Sequence, residues 1–246
     1  QVRTLRWDLA FGATVTASGA TIWIGSELLR PGRAGALPQV HPDAVDSSVR
    51  DALVSGDTGT ATTLSNVTWF PFVPLAALEL NALAEAHDGA LGNVGQDTLL
   101  IAEAGVIAAD VTQLSKLLVG RERPSVHALA PDEKLRAPRH ADNNLSFFSG
   151  HTSEAFALSP PARWRDPRDR WAALAWIVGG AAAATTAYLR IAADRHWLTD
   201  VLVGAVVGAG IGFAVPFLST RPATTRSISA AAPLRVRYVP AFAFAW

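Results

Sequence analysis

WAALAWIVGGAAAATTAYLRIAADRHWLTDVLVGAVVGAGIGFAVPFL, residues 171–218, consists of two apolar runs joined by a short polar link. The first run, 171–189, has no ionisable side chain except Tyr188. As a helix rising about 1.5 Å per residue it is long enough to cross a bilayer core of roughly 30 Å. The second run, 201–218, has the same character, and its glycines are spaced as in helices that touch closely. Two membrane-crossing helices with a polar turn at one surface are the reading that follows.

Four further apolar stretches are less pure: 8–29, 66–86, 97–119 and 147–162. Together they predict an all-α, six-helix transmembrane bundle in a single domain over 1–246, with an outer loop at 30–65, an active-site loop at 120–146 and a tail at 219–246. Glu103 and Asp110, seven apart, share a helix face, and Lys116 lies one turn beyond Gln113. Polar groups inside a span face the bundle interior or a wet cavity. Half of the residues are hydrophobic and 17% are charged, too apolar for a disordered chain and low in charge for a soluble globule. A soluble all-helical protein with apolar core helices is the alternative, given a mean hydropathy of +0.22.

Charge orients the bundle. With a cytoplasmic amino terminus, six crossings put 30–65, 120–146 and 190–197 outside and 87–96, 163–170 and 219–246 inside. The inner segments then hold RWRDPRDR at 163–170, Arg221, Arg226, Arg235 and Arg237, with Arg3 and Arg6 beside them. Three chemistry-bearing strings fall on the outer side.

The first string is KLLVGRERP, 116–124. Lys116 and Arg123 are seven apart and would project from one helix face towards one anion. Pro124 should stop that helix and leave Arg123 at a mouth rather than buried in a wall. The second is SGH, 149–151, where Ser149 is an N-cap candidate and Gly150 allows close backbone approach at a helix start that offers N–H groups to an anion. His151 stands in that first turn. The third is RIAADRHWLTD, 190–200, in which His196 and Asp200, four apart, stack on a helix face so that the carboxylate accepts one imidazole N–H and leaves the other nitrogen as a nucleophile. Arg190 adds a planar fork of donors. Taken singly, each string also reads as a solvated charge face, a structural histidine or an ordinary helix pair.

Together the strings resemble the type 2 phosphatidic acid phosphatase superfamily, whose pattern is K-x6-R-P, P-S-G-H and S-R-x5-H-x3-D. Lys116, Arg123 and Pro124 match the first element, Ser149, Gly150 and His151 the second, Arg190, His196 and Asp200 the third. Phe148 and Leu189 stand where the pattern has proline and serine. The resemblance implies the fold shared by these phosphatases, acid phosphatases and vanadium haloperoxidases. It also implies a metal-independent phosphatase without cofactor, in which His196 is the nucleophile, Asp200 holds its ring and His151 serves as acid and then base. Lys116, Arg123, Ser149, Gly150 and Arg190 would bind the phosphate. Lipid phosphate monoesters or pyrophosphates, met at the extracytoplasmic face of a bacterial inner membrane, are the implied substrates. Within the same resemblance stand a soluble periplasmic acid phosphatase and a vanadate-dependent haloperoxidase. A catalytically silent membrane subunit is the reading from another class, to which Leu189 lends support.

No cysteine is present, so neither disulfides nor thiolate metal sites are possible. Zero net charge gives no sign of nucleic-acid binding. His41, His87, His127 and His140 have no partners at ligand spacing and read as surface or loop residues. The chain opens on Gln1 and holds no methionine, as expected of a trimmed or incomplete sequence. LRVRYVPAFAFAW, 234–246, reads as a short strand, an interfacial anchor or a tail.

Overall fold

The computed structural model describes residues 9–28, 40–136, 141–159 and 170–219. Its helices are α1 (Leu9–Leu28), α2 (Ala44–Leu53), α3 (Thr58–Val67), α4 (Val73–His87), α5 (Val94–Val119), α6 (Pro124–His127), α7 (Pro131–Arg136), α8 (Gly150–Leu158), α9 (Arg170–Ala192) and α10 (Leu198–Ser219). The tail expected at 219–246 lies outside the described residues from 220 onward, as do His140 and most of RWRDPRDR.

Each of the six apolar stretches carries a helix among the described residues, but not each is long and apolar enough to cross a membrane. Among the described residues four helical segments are long and apolar enough to cross a membrane: Thr58–His87, Leu91–His127, Ala173–Ala192 and Leu198–Leu218. The nine residues of α8 span only about 13 Å, less than half a bilayer core. In α1, threonine, serine and glycine alternate with the apolar residues and dilute them.

The stretch expected as an outer loop, 30–65, also differs, since it carries α2 and most of α3. Both begin with an aspartate cap: Asp43 accepts from Asp46 N at 2.7 Å and Asp57 from Thr60 N at 2.9 Å. α2, AVDSSVRDAL, is too polar for a hydropathy scan to pick out, and α3, TGTATTLSNV, is the more polar front of the Thr58–His87 segment. α3 runs into α4 through one π-helical turn, Thr68–Phe72, broken at Phe70 (φ −147°, ψ 116°) beside Pro71.

Short α8 is surrounded by α5, α9 and α10. Its contact with α10 is backbone on backbone. A Cβ on Gly204 would lie 2.7 Å from the Ser149 carbonyl oxygen, and one on Gly208 would collide with that of Ser153. The glycines of the 201–218 run thus pack as their spacing suggested. Small residues fill the adjoining core, where Ala155, Ala182 and Ala183 meet Val73.

Polarity is inverted relative to a soluble globule. Phe72, Leu114, Ile177, Val206, Phe213 and Leu218 face outward, whereas Glu103, Thr112, Gln113 and Arg190 are buried. Large outward apolar surface over buried polar groups is the pattern of a membrane protein.

Candidate active site

At one end of the bundle the last turn of α5, the start of α8, the end of α9 and the 193–197 turn converge on a cavity of about 320 Å³. Six sequence-predicted residues line it: Lys116, Arg123, Gly150, His151, Arg190 and His196. The other two, Ser149 and Asp200, are fully buried and stand behind the wall. The Ser149 hydroxyl pairs with that of Thr152 at 2.9 Å, and its N–H donates to the Asp200 carbonyl at 3.1 Å. Ser149 does occupy the N-cap position of α8, with extended backbone.

His196 is not on a helix face. It sits in the bend before α10, 2% exposed, and its Nδ1 meets the Ser146 carbonyl at 2.7 Å while the Asp200 carboxylate is 3.7 Å away. A carbonyl only accepts, so Nδ1 carries the hydrogen and Nε2 holds a lone pair. The expected His196–Asp200 hydrogen bond is therefore replaced by one to the backbone. Asp200 instead accepts from the Trp197 N–H at 2.9 Å, as an acidic N3 residue reaches back to a helix start, and from the Ser146 hydroxyl. It anchors both chain segments that frame the imidazole.

Asp200 is held in turn by Arg121, whose Nη1 donates to Oδ1 at 2.6 Å and to the Thr199 hydroxyl at 2.7 Å. The other arm, Nη2, donates to Asp46 of α2 at 2.6 Å. Asp46 closes the ring by accepting from the Thr199 N–H at 2.9 Å and its hydroxyl at 2.8 Å. Arg121 falls within the first sequence string, 116–124, but had no role there, and sequence reasoning missed Asp46, Ser146 and Thr199 altogether. An aspartate in a short polar helix far along the chain carries no local signal of such a role.

α5 ends at Gly120, left-handed at φ 62°, before it reaches Arg123. Arg123 is consequently off the helix and buried in the wall, not at a mouth as Pro124 suggested. It donates to the Asp142 carbonyl (2.8 Å) and carboxylate (2.9 Å) and to the Arg195 carbonyl (3.1 Å). Arg190 donates to the Ser65 hydroxyl at 3.3 Å, so α3 supplies a hydroxyl beside this arginine although residue 189 is leucine. Arg195, unremarked in the sequence, is a fourth basic side chain in the lining. A Cβ on Gly150 would stand 3.4 Å from Lys116 Nζ, so glycine lets the helix start approach that cation.

The turn carrying His196 is pinned from α2. Arg50 grips Asp194 with Nε (2.7 Å) and Nη2 (2.8 Å), and Asp194 adopts φ 57°. Aspartate tolerates that left-handed backbone better than most residues. The Asp194 carboxylate raises the Arg50 pKa.

Burial among cations lowers the pKa of both pocket histidines. Desolvation, then the charges of Arg123, Arg190 and Lys116, hold His196 well below the ordinary histidine range. His151 is lowered by desolvation, then by Arg190, His196, Lys116 and Arg123. Its Nε2 meets Asn66 Oδ1 at 2.9 Å, and its ring lies against Trp69 with centroids 4.1 Å apart.

A second cavity, about 450 Å³, adjoins the first and is almost wholly apolar, with Phe70, Pro74, Leu78, Ile101, Val106 and Leu158 in its wall. Trp23, Trp69, Ala109 and Glu154 line both. A cationic pocket opening beside an apolar one suits an amphiphile with an anionic head.

Residues 98–221 match the family model of the PAP2 superfamily, a span that contains all eight sequence-predicted site residues. A lipid A 1-phosphatase of Porphyromonas gingivalis is 28% identical over 169 residues, covering 68% of this chain and 33% of that protein. The chain thus spans about a third of the length of that curated relative. Among solved structures, a transmembrane PAP2-type phosphatidylglycerolphosphate phosphatase from Bacillus subtilis superposes with a TM-score of 0.51 at 18% identity, over 84% of this chain and 94% of that one. The latter likeness is one of fold.

Proposed function

Because the chain belongs to the PAP2 superfamily, we propose that it is a metal-independent phosphatase of lipid phosphate monoesters or pyrophosphates, working through a phosphohistidine on His196. The observation that carries this reading is the shared wall between the cationic pocket and the apolar cavity. The phosphate lies among Lys116, Arg123, Arg190 and Arg195, and the hydrocarbon next to it. The named activities of the lipid A 1-phosphatase and the phosphatidylglycerolphosphate phosphatase support a lipid substrate.

Nε2 of His196 attacks phosphorus in line. The P–O bond to the lipid breaks, and the departing oxygen takes a proton from His151, which gains that proton as the dianion enters. The charge of the imidazolium-like His196 is eased by the Ser146 carbonyl on Nδ1. His151, now neutral, removes a proton from water, whose oxygen attacks the phosphohistidine and releases inorganic phosphate. The Gly150 N–H and the four basic side chains stabilise the equatorial oxygens, the electrostatic role that a divalent cation fills in other phosphoryl-transfer enzymes. Asp200 and Ser149 act behind the pocket by fixing its walls.

The charge asymmetry of the sequence supports an extracytoplasmic site in the inner membrane. The chain has no cysteine, so single cysteines placed at Glu122 and at His87 would report sidedness by labelling with an impermeant maleimide. Labelling of intact cells at position 122 alone is the expected result.

The decisive assay is phosphate release from a panel of lipid mono- and pyrophosphates in detergent with EDTA throughout. Turnover that survives chelation and disappears in His196→Ala is expected. Parent-level turnover in His196→Ala would end the phosphohistidine reading, and no turnover on any phosphate ester would favour the silent-subunit alternative.

A further inference from the structure

Resting on the reading of His151 as proton donor, we propose that Asn66 and Trp69 of the α3–α4 segment are positioning residues that fix the His151 ring for transfer to the leaving oxygen. Neither lies within the span matched by the family model, residues 98–221.

The geometry is a closed clamp. Asn66, one residue before the end of α3, and Trp69, in the π-helical turn that follows, are three apart across right-handed helical backbone, and both line the cationic cavity. The backbone leaves helical geometry at Phe70, one residue beyond Trp69, so the indole sits immediately before the break. Its face lies on His151 with an interplanar angle of 30°, and its Nε1–H donates to Glu154 Oε2 at 2.9 Å. Glu154 stands three residues after His151 on α8. The indole is therefore tied to the same helix that carries the imidazole, and the ring cannot swing without breaking that link. Asn66 Oδ1 completes the arrangement at 2.9 Å from Nε2. An amide oxygen only accepts, so Nε2 keeps a hydrogen in both protonation states and the other ring nitrogen is the one that exchanges a proton. This orienting contact is the counterpart, for the acid, of the Ser146 carbonyl for the nucleophile.

A leaving-group comparison tests this on the purified full chain. From 4-nitrophenyl phosphate the nitrophenolate leaves without protonation, whereas the alkoxide leaving an alkyl phosphate such as dioleoyl phosphatidic acid needs a proton. His151→Ala should lose about 10²- to 10⁴-fold on the alkyl phosphate and far less on the nitrophenyl ester. Asn66→Ala should show the same selectivity, roughly tenfold or more against less than twofold, and should add nothing in the His151→Ala background. Equal losses on both substrates in Asn66→Ala, with His151→Ala still selective, would overturn the positioning role alone. Equal losses in His151→Ala would overturn the acid role, and the inference with it. Asn66→Asp keeps the shape and sets a carboxylate on Nε2, which favours the imidazolium. Its basic limb of kcat against pH should move up by about one unit, and an unmoved limb counts against the clamp. Trp69→Phe keeps the stacked ring but lacks the Glu154 link, and should fall between parent and Asn66→Ala on the alkyl phosphate only.

Discussion

Arg121 and Asp200 form an ion pair of 2.6 Å in which neither side chain is more than 2% exposed, and Asp46 holds the opposite arm of the same guanidinium. A buried pair of this kind adds little relative to apolar packing, but losing one member is costly. Arg121→Ala leaves two buried carboxylates facing each other, and a loss of about 3–5 kcal/mol follows. Arg121→Lys keeps one charge without the fork that spans Asp46, Thr199 and Asp200, so it should fall between. Thermal unfolding in detergent measures both, and a parent-like melt of Arg121→Ala would remove this network from the account.

Asp200 acts on His196 through Ser146 and the Trp197 N–H, not by accepting from the ring. Asp200→Asn should therefore lower kcat and melting temperature together, because the contacts that frame the imidazole weaken with the fold around them. A large fall in kcat at a parent-like melting temperature would instead show that the carboxylate 3.7 Å from the ring acts on His196 directly.

Phosphate binding should take up a proton. His151 is held neutral by desolvation and four neighbouring groups led by Arg190, and a bound dianion offsets those cations. Because the folded, empty site keeps this pKa low, the proton is gained on binding and not released. Calorimetric titration with inorganic phosphate at pH 7.5, repeated in buffers of different ionisation enthalpy, should give roughly one proton taken up beyond that of phosphate itself. His151→Gln should abolish it.

Helix contact sets the site's dimensions. A methyl on Gly208 collides with the Ser153 carbonyl, while one on Gly210 meets nothing within 4 Å. Gly208→Ala should push α10 from α8, costing about 1–3 kcal/mol and at least tenfold in turnover, because His151 and His196 ride on opposite sides of that contact. Gly210→Ala should match the parent in both, which separates packing from loss of glycine flexibility.

Arg50→Ala frees the Asp194 turn. With the bidentate pair gone, the left-handed backbone at residue 194 loses its clamp and His196 its fixed entry to α10. A rise in KM and a fall in kcat of several-fold each are expected, with Arg50→Lys recovering part of both.

The amino-acid order alone determined the helical class, the apolar stretches and the identity of six pocket residues, because hydropathy and short-range spacing are local quantities. Lys116, Gly150, His151, Arg190 and His196 reach the cavity through motifs in which each residue sits within one or two turns of its neighbours. Arg123 reaches it too, but from a wall that the Gly120 turn creates. Tertiary structure alone decided what holds those groups. Asp46 and Arg50 come from a short polar helix and Asn66 from the end of α3, and they meet Thr199, Asp194 and His151 at sequence separations of 153, 144 and 85. The acceptor for His196 is a backbone carbonyl, a group every residue possesses, so no side-chain pattern could announce it. Ligand chemistry is written in side-chain type, whereas orientation depends on which surfaces the chain buries together, and burial is a property of the whole bundle.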